Sequence, residues 1–294
     1  MAVTKPSGTL KTYLDTKKTD SRLIGSIERH MLTRELDRSR RQDVLHPSDL
    51  VKADYCIRAQ YFHMLAPPEP KRHALRLQSI FDTGHGAHAK WQGYIREMGD
   101  LFGRWRCAVC AHEFWGTSPA ECASCSSPSL RYHEVPLVNE SLNIAGHADG
   151  WVTGHGNPFL IEIKTIGVGT IRMEQPALLA ANDNDLNKAW RDIRRPFPTH
   201  IRQGQLYLEL LRRMGVGGMF EGMQVPTEMV YLYELKADQA YKEFVVQADP
   251  TIIEQCLDMA FEVMKAVDTG VPPACNVTSD DMGCSSCMAL GVIV

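Results

Sequence analysis

Apolar residues along this chain recur three and four apart in some stretches and two apart in others, and the switches between those periods predict its elements. Leu23, Ile27, Met31 and Leu32 keep helical spacing inside a polar, mixed-charge opening, so a helix is expected within residues 1–45. That arm reads equally as a solvated lead-in or as a nucleic-acid arm. The stretch HPSDLVKADYCIRAQYFHML reads as one helix, capped by Ser48 or Asp49 and carrying Cys56, Arg58 and Tyr61. A longer helix, RLQSIFDTGHGAHAKWQGYIREMG, is expected to end at Gly99. The period then falls to two. SLNIAGHADGWVTG and FLIEIKT read as the strands of a hairpin, with Gly154, Gly156 and Pro158 as its turn residues. HIRQGQLYLELLRRMG returns to helical spacing and stops at Gly215, and EMVYLYELK and KEFVVQA are further strands. DPTIIEQCLDMAFEVMKAVDTG is amphipathic, with Ile252, Ile253, Cys256, Ala260, Val263 and Val267 on its apolar stripe. Cys256 on that stripe reads as a core thiol. Residues 172–199 keep no period and are rich in Arg, Asn and Asp. With Arg172, Arg191, Arg194 and Arg195 they read as a lid, a strand guide or a surface loop. This order of elements predicts an α/β fold.

Composition narrows the class. The chain has 294 residues, 44% hydrophobic and 23% charged, which is the make-up of an ordinary globular protein. A net charge of −3 gives no global basic signature. Nucleic acid stays open as a partner, because acidic metal ligands can offset a basic groove. No apolar run approaches the length of a membrane span, and the opening MAVTKPSGTLKTYLDTKKTD has no apolar signal core. A cytoplasmic protein of a bacterial or phage-infected cell, with no membrane partner, is the expectation.

The strand FLIEIKT poses a question. Alternation puts Glu162 and Lys164 on one face with Leu160, and Phe159, Ile161 and Ile163 on the other. The ordinary account is a half-buried strand whose charges face water. Thirteen positions earlier, GHADG places Asp149 on the neighbouring strand. Two carboxylates brought together from adjacent strands suit a hard divalent cation, Mg2+ or Mn2+. A lysine beside them can position an attacking water or neutralise phosphate charge.

Asp149 followed by Glu162-x-Lys164 resembles the core of the PD-(D/E)XK nuclease superfamily. Gly84 to His88 is similar to the GxxxH motif of its RecB-like branch, and Gln203 to Tyr207 to that branch's QxxxY motif. The four motifs occur in the family's order and span about residues 46–290, with 104–133 outside it. The resemblance implies a restriction-endonuclease-like core, a central mixed sheet flanked by helices. It implies a metal held by His88, Asp149, Glu162 and the carbonyl of Ile163. Asp149, Glu162, Lys164, Gln203 and Tyr207 would then be the catalytic set, with Gln203 and Tyr207 contacting the DNA backbone or steadying Lys164. The activity implied is metal-dependent exonucleolytic hydrolysis of single-stranded DNA or DNA ends, in replication, recombination or DNA processing. The alternative is a catalytically weak or inactive DNA-binding module of a recombination or spacer-capture complex. No GxxxxGK[ST] loop is present, so a helicase or recombination partner would be a separate chain.

Nine cysteines add two further sites. Cys107-x2-Cys110-x11-Cys122-x2-Cys125 has the spacing of a zinc ribbon. Arg104, Trp105, Arg106 and Arg131 flank it and are candidates for stacking on bases or meeting phosphates. Cys56 with Cys275, Cys284 and Cys287 resembles the iron–sulfur staple of the CRISPR-associated RecB-like exonucleases and of the AddB nuclease domain, which implies a 4Fe–4S cluster joining residues 219 apart. Here the lone cysteine precedes the CxxC pair, unlike the family's order, and a four-thiolate zinc site is the alternative. Five segments are therefore expected: an arm 1–45, first helices 46–103, a ribbon insert 104–133, a nuclease core 134–270 and a cluster-binding segment 271–294.

Overall fold

The structure, a computed structural model, describes residues 22–36, 40–215, 220–278 and 284–291. The chain divides into two units, Met1–Arg40 with Glu69–Thr83, and Arg41–Pro68 with Gly84–Val294. The first unit holds helix α1 (Ile24–Thr33), which buries none of its residues. In the same unit the His73 and Phe81 rings meet edge-on at 5.1 Å.

The second unit carries the core. It begins with α2 (Pro47–Leu50) and α3 (Ile57–Leu65), followed by the part of α4 (Leu75–Met98) from Gly84 onward. The single helix expected across Cys56 is therefore two. His46, not Ser48 or Asp49, is the N-cap of α2. Cys56 itself caps α3, its sulfur accepting from the Ala59 N–H at 3.4 Å. An apolar count over this stretch cannot see the break, because both helices bury residues around it.

Strands β1 (Leu101–Cys107), β2 (Glu113–Thr117), β3 (Leu130–His133), β4 (Val135–Asn139), β5 (Ile144–Ala148), β6 (Gly150–Val152) and β7 (Phe159–Ile166) follow. The strand expected across Asp149 stops at Ala148 and restarts at Gly150. Its first half pairs with β4 in a separate two-stranded sheet, and its second half pairs with β7. The bend falls on Asp149. The boundary expected at 104 lies inside β1, which pairs with β2, β3 and also β6.

Residues 172–199 are not an irregular lid. They form α5 (Val168–Glu174), α6 (Pro176–Ala181), α7 (Leu186–Asp192) and the start of α8 (Pro198–Gly215). Ile171, Leu179, Ala189, Trp190, Ile193 and Phe197 are buried, while Arg172, Arg191, Arg194 and Arg195 are exposed. Lys242 donates to the carbonyls of Trp190, Arg191 and Ile193, closing the end of α7.

Strands β8 (Glu228–Leu235) and β9 (Tyr241–Gln247), then α9 (Pro250–Thr269) and α10 (Ser285–Ala289), complete the described elements. The main sheet runs β2-β1-β6-β7-β8-β9, with β3 also on β1; β7 and β8 are parallel and the other pairs antiparallel. It is thus a central mixed sheet flanked by helices. On one face Leu160, Met229, Tyr231 and Tyr233 pack with Leu206 and Leu210 of α8 and Cys256, Ala260 and Val263 of α9. On the other, Ile161, Ile163 and Val230 meet Trp91 and Ile95 of α4. Cys256 is a core thiol, as its stripe predicts. Gly204 is where α8 lies closest to the sheet: a Cβ there would come within 2.9 Å of the Met229 side chain and closer still to the Tyr231 hydroxyl. Among the described residues no helix is long and apolar enough to cross a membrane.

Candidate metal and catalytic centre

The two charges of the FLIEIKT strand do not face water. Glu162 is 2% exposed, and its Oε1 meets Lys164 Nζ at 2.6 Å. Their strand face looks toward α8. There Gln203 Oε1 accepts from Lys164 Nζ at 3.2 Å, and Gln203 Nε2 donates to the Tyr207 hydroxyl at 2.8 Å. Gln203 and Tyr207 sit one turn apart on a buried helix face, so the helix fixes their spacing. One amide thus orients both the lysine and the phenol.

The bend at Asp149 turns its carboxylate toward β7. Oδ2 accepts from the Ile163 N–H at 2.6 Å, and Oδ1 lies 3.1 Å from His88 Nδ1. His88 reaches this point from α4, where Gly84 is against Thr165 of β7. His88, Asp149 and the Ile163 N–H thus form one group, and Glu162, Lys164, Gln203 and Tyr207 a second, the two meeting on neighbouring residues of β7. Sequence reasoning missed three neighbours. Glu134 Oε1 lies 4.0 Å from His88 Nδ1. Gln92 donates to Glu134 at 3.3 Å and to the Asp149 carbonyl at 2.8 Å. The Tyr132 hydroxyl donates to that same carbonyl at 3.4 Å. Gln92, four residues after His88, was within reach of a helix-face argument; Glu134 and Tyr132 depend on strand pairing and had no local signal.

Electrostatics mark this as a cation site. Burial first, and Asp149 second, push the Glu162 carboxyl up to about 7 against the opposing pull of Lys164. Burial alone would lower His88, but Asp149 and Glu134 outweigh it and bring the imidazole up to about 10. Burial would likewise lower Lys164, and the carboxylates of Glu162 and Asp149 raise it instead. In addition, Glu162 Oε2 is buried with no hydrogen-bond partner among the described residues. An orphaned buried carboxylate oxygen beside other hard oxygen and imidazole donors fits Mg2+ or Mn2+.

The two cysteine tetrads also assemble. Cys107, Cys110, Cys122 and Cys125 have their sulfurs within 4.8 Å of one another, with Cys107–Cys125 at 3.6 Å and Cys110–Cys122 at 3.7 Å. Each CxxC pair is followed by a residue at positive φ, Ala111 (59°) and Ser126 (55°), and presents backbone N–H groups to sulfur. Backbone N–H groups, that of Cys110 foremost, bring the Cys107 thiol down to about 6, favouring the metal-binding thiolate. Trp105 is fully buried, its Nε1 donating to the Gly116 carbonyl and its ring beneath Arg96, so it is no stacking platform for a base. Arg104 and Arg106 face Glu113 at 3.5 and 3.9 Å.

Cys56, Cys275, Cys284 and Cys287 form the second tetrad. Their sulfurs are also within 4.8 Å of one another, with pairs at 3.4, 3.8 and 3.8 Å. Burial would raise the Cys275 thiol, but backbone N–H groups at Thr278, Val277 and Cys284 bring it to about 6. Asn276 ties the segment down, accepting from the Ile57 N–H and donating to the Tyr55 carbonyl. Four converging thiols of this kind could hold a single tetrahedral ion or an iron–sulfur cluster.

No protein-family model matches this sequence, and no curated protein does. Among solved structures the chain is similar to an alkaline exonuclease from Laribacter hongkongensis, LHK-Exo, at 12% identity over 78% of this chain and 90% of that one, with a TM-score of 0.40. The same enzyme in complex with dAMP gives 0.41 at the same identity and coverage. The crystal structure of SSO0001 is similar at 14% identity over 87% of each chain, with a TM-score of 0.34. A likeness of this extent fixes neither activity nor substrate.

Proposed function

We propose that this chain is a metal-dependent nuclease of the PD-(D/E)XK type, acting as an exonuclease on single-stranded DNA or DNA ends. One observation carries the reading: the buried Glu162–Lys164 pair lies on β7 beside Ile163, whose N–H Asp149 accepts, and Glu162 Oε2 has no partner among the described residues. A buried carboxylate oxygen without a donor suits a cation. His88, Asp149, Glu162 and the Ile163 carbonyl would hold Mg2+ or Mn2+. Such an ion neutralises charge on a phosphoryl oxygen and lowers the pKa of water near it. Lys164, charged and held by Gln203, positions the water that attacks phosphorus and stabilises negative charge gathering on the phosphate. Tyr207 fixes Gln203. The Asp149 carboxylate is locked by the Ile163 N–H, so the site is set before substrate arrives.

Cys107, Cys110, Cys122 and Cys125 hold a structural zinc in this reading. Cys56, Cys275, Cys284 and Cys287 hold a 4Fe–4S cluster in this reading, with a four-thiolate zinc site as the alternative. The alternative, a DNA-binding module without cleavage, is disfavoured by the intact Asp, Glu, Lys and His set.

The test is cleavage of single-stranded DNA labelled at its 5′ or 3′ end, with Mn2+, Mg2+ or EDTA, for wild type and Lys164→Ala. Metal-dependent release of mononucleotides or short fragments, reduced at least a hundredfold in Lys164→Ala, is expected. Full activity of Lys164→Ala ends this assignment. DNA binding without cleavage by wild type moves the reading to the binding module.

A further inference from the structure

Glu134 stands where the ribbon meets the core. It directly follows β3, the last ribbon strand, and directly precedes β4. Its carboxylate belongs to neither tetrad. Instead it joins His88 and Asp149 in a group whose donor atoms all lie within 4.8 Å. The spacings inside that group are informative. Around an octahedral ion with bonds of about 2.1 Å, adjacent donors are about 3.0 Å apart and opposite donors about 4.2 Å. His88 Nδ1 is 3.1 Å from Asp149 and 4.0 Å from Glu134. Gln92 ties the Glu134 carboxylate to the Asp149 backbone with one amide. β3 is itself anchored over α4, since Arg96 donates to the Leu130 carbonyl and Tyr132 to the Asp149 carbonyl. An unsatisfied oxygen of Glu162, the residue before Ile163 whose N–H Asp149 accepts, points independently to a cation.

We propose that Glu134 is a further ligand of the divalent ion at the Asp149–Glu162 site, delivered there by the last strand of the zinc ribbon. This rests on the metal-dependent reading above. It gives the ribbon a task at the catalytic centre rather than on DNA: the ribbon zinc fixes β3, and β3 fixes Glu134.

The test is Mn2+ affinity, read by electron paramagnetic resonance of the free ion, on the zinc-loaded full chain. Glu134→Gln keeps the shape and the oxygen that Gln92 donates to, and it removes the charge. It should retain wild-type zinc content and Tm and bind Mn2+ about ten- to a hundredfold more weakly. Glu134→Asp, which keeps a carboxylate, should bind Mn2+ more tightly than Glu134→Gln. Asp149→Asn is the reference. Wild-type affinity in Glu134→Gln together with weakened binding in Asp149→Asn overturns Glu134 as a ligand. Equal affinity in the Gln and Asp variants overturns it too. Wild-type affinity in both Glu134→Gln and Asp149→Asn overturns the metal site itself.

Discussion

Lys164 has two oxygen partners, one charged and one neutral, and the difference between them is testable. Glu162 Oε1 supplies the charge and Gln203 Oε1 the direction. Gln203→Ala leaves every proposed ligand in place and frees the ammonium to rotate. Turnover should fall about ten- to a hundredfold while Mn2+ affinity holds; single-turnover cleavage beside Mn2+ titration separates the two. His200 offers a second residue-level readout. It is buried against Tyr233, and burial first, then nearby Lys164, holds its imidazole well below 6.5. The folded state keeps it neutral, whereas the unfolded chain takes up a proton below about 6.5. Its contribution to stability is therefore complete above about 6.5 and is lost as pH falls from there toward the depressed folded value. Glu162, shifted the other way, opposes this trend between about 4.5 and 7. The comparison must then be with His200→Asn: between pH 6.5 and 5, urea unfolding should show wild type losing up to about 1.4 kcal/mol per pH unit more than the variant. At this scale the sequence was generous. Spacing puts Glu162 with Lys164 on one strand face and Gln203 with Tyr207 on one helix face, GHADG marks Asp149, and His88 comes from the resemblance to the GxxxH motif. Glu134 sits in no such window, because its meeting with His88 is made by β3 and α4 at long range.

Elements followed the period wherever one face alone was buried. α9 buries one stripe, Cys256, Ala260, Val263 and Ala266, so helical spacing showed its extent, whereas α8 is buried all round from Gln203 to Leu211. β7 and β8 are buried on both faces, and their apolar runs and flanking turns marked them instead. The polar stretch after Gly167 hid three helices because each is too short to repeat its pattern. Gln175 separates the first two, and Asp183 and Asn184, both at positive φ (57° and 60°), separate the second pair. The break at Asp149 was likewise silent, since a one-residue bend leaves the alternation on either side intact. Gly204 tests how tightly α8 is held to the sheet. Alanine there gains about 1 kcal/mol of helix propensity but must displace Met229 and Tyr231, both fully buried. Overpacking costs about 1–3 kcal/mol, so Gly204→Ala should lower the urea midpoint, with weaker activity because Gln203 is its neighbour. An unchanged midpoint would mean that the sheet yields at this contact.

At the scale of the molecule, the two cysteine tetrads make a joint prediction. The ribbon tetrad should carry zinc, so protein purified without oxygen should hold about one zinc ion per chain. The Cys56, Cys275, Cys284 and Cys287 tetrad should add about four irons per chain by elemental analysis and the brown absorbance of an iron–sulfur protein. A second zinc ion per chain, with no iron and no such absorbance, would reassign that tetrad to zinc. Two CxxC pairs close together mark the ribbon, because its ligands are local. The second centre stays open in the sequence, because four thiolates suit zinc and an iron–sulfur cluster alike.

Those two centres differ in how far apart their ligands lie along the chain. Cys107 and Cys125 are 18 positions apart, whereas Cys56 and Cys287 are 231 apart. Synthesis runs from the N-terminus, and segments fold as they emerge. A growing chain can close the ribbon soon after Cys125 leaves the ribosome. The second centre must wait until Cys287 is out, long after Asp149, Glu162 and Lys164. The order of translation thus becomes an order of metal loading, with the tetrad that joins the two ends of the sequence closed last.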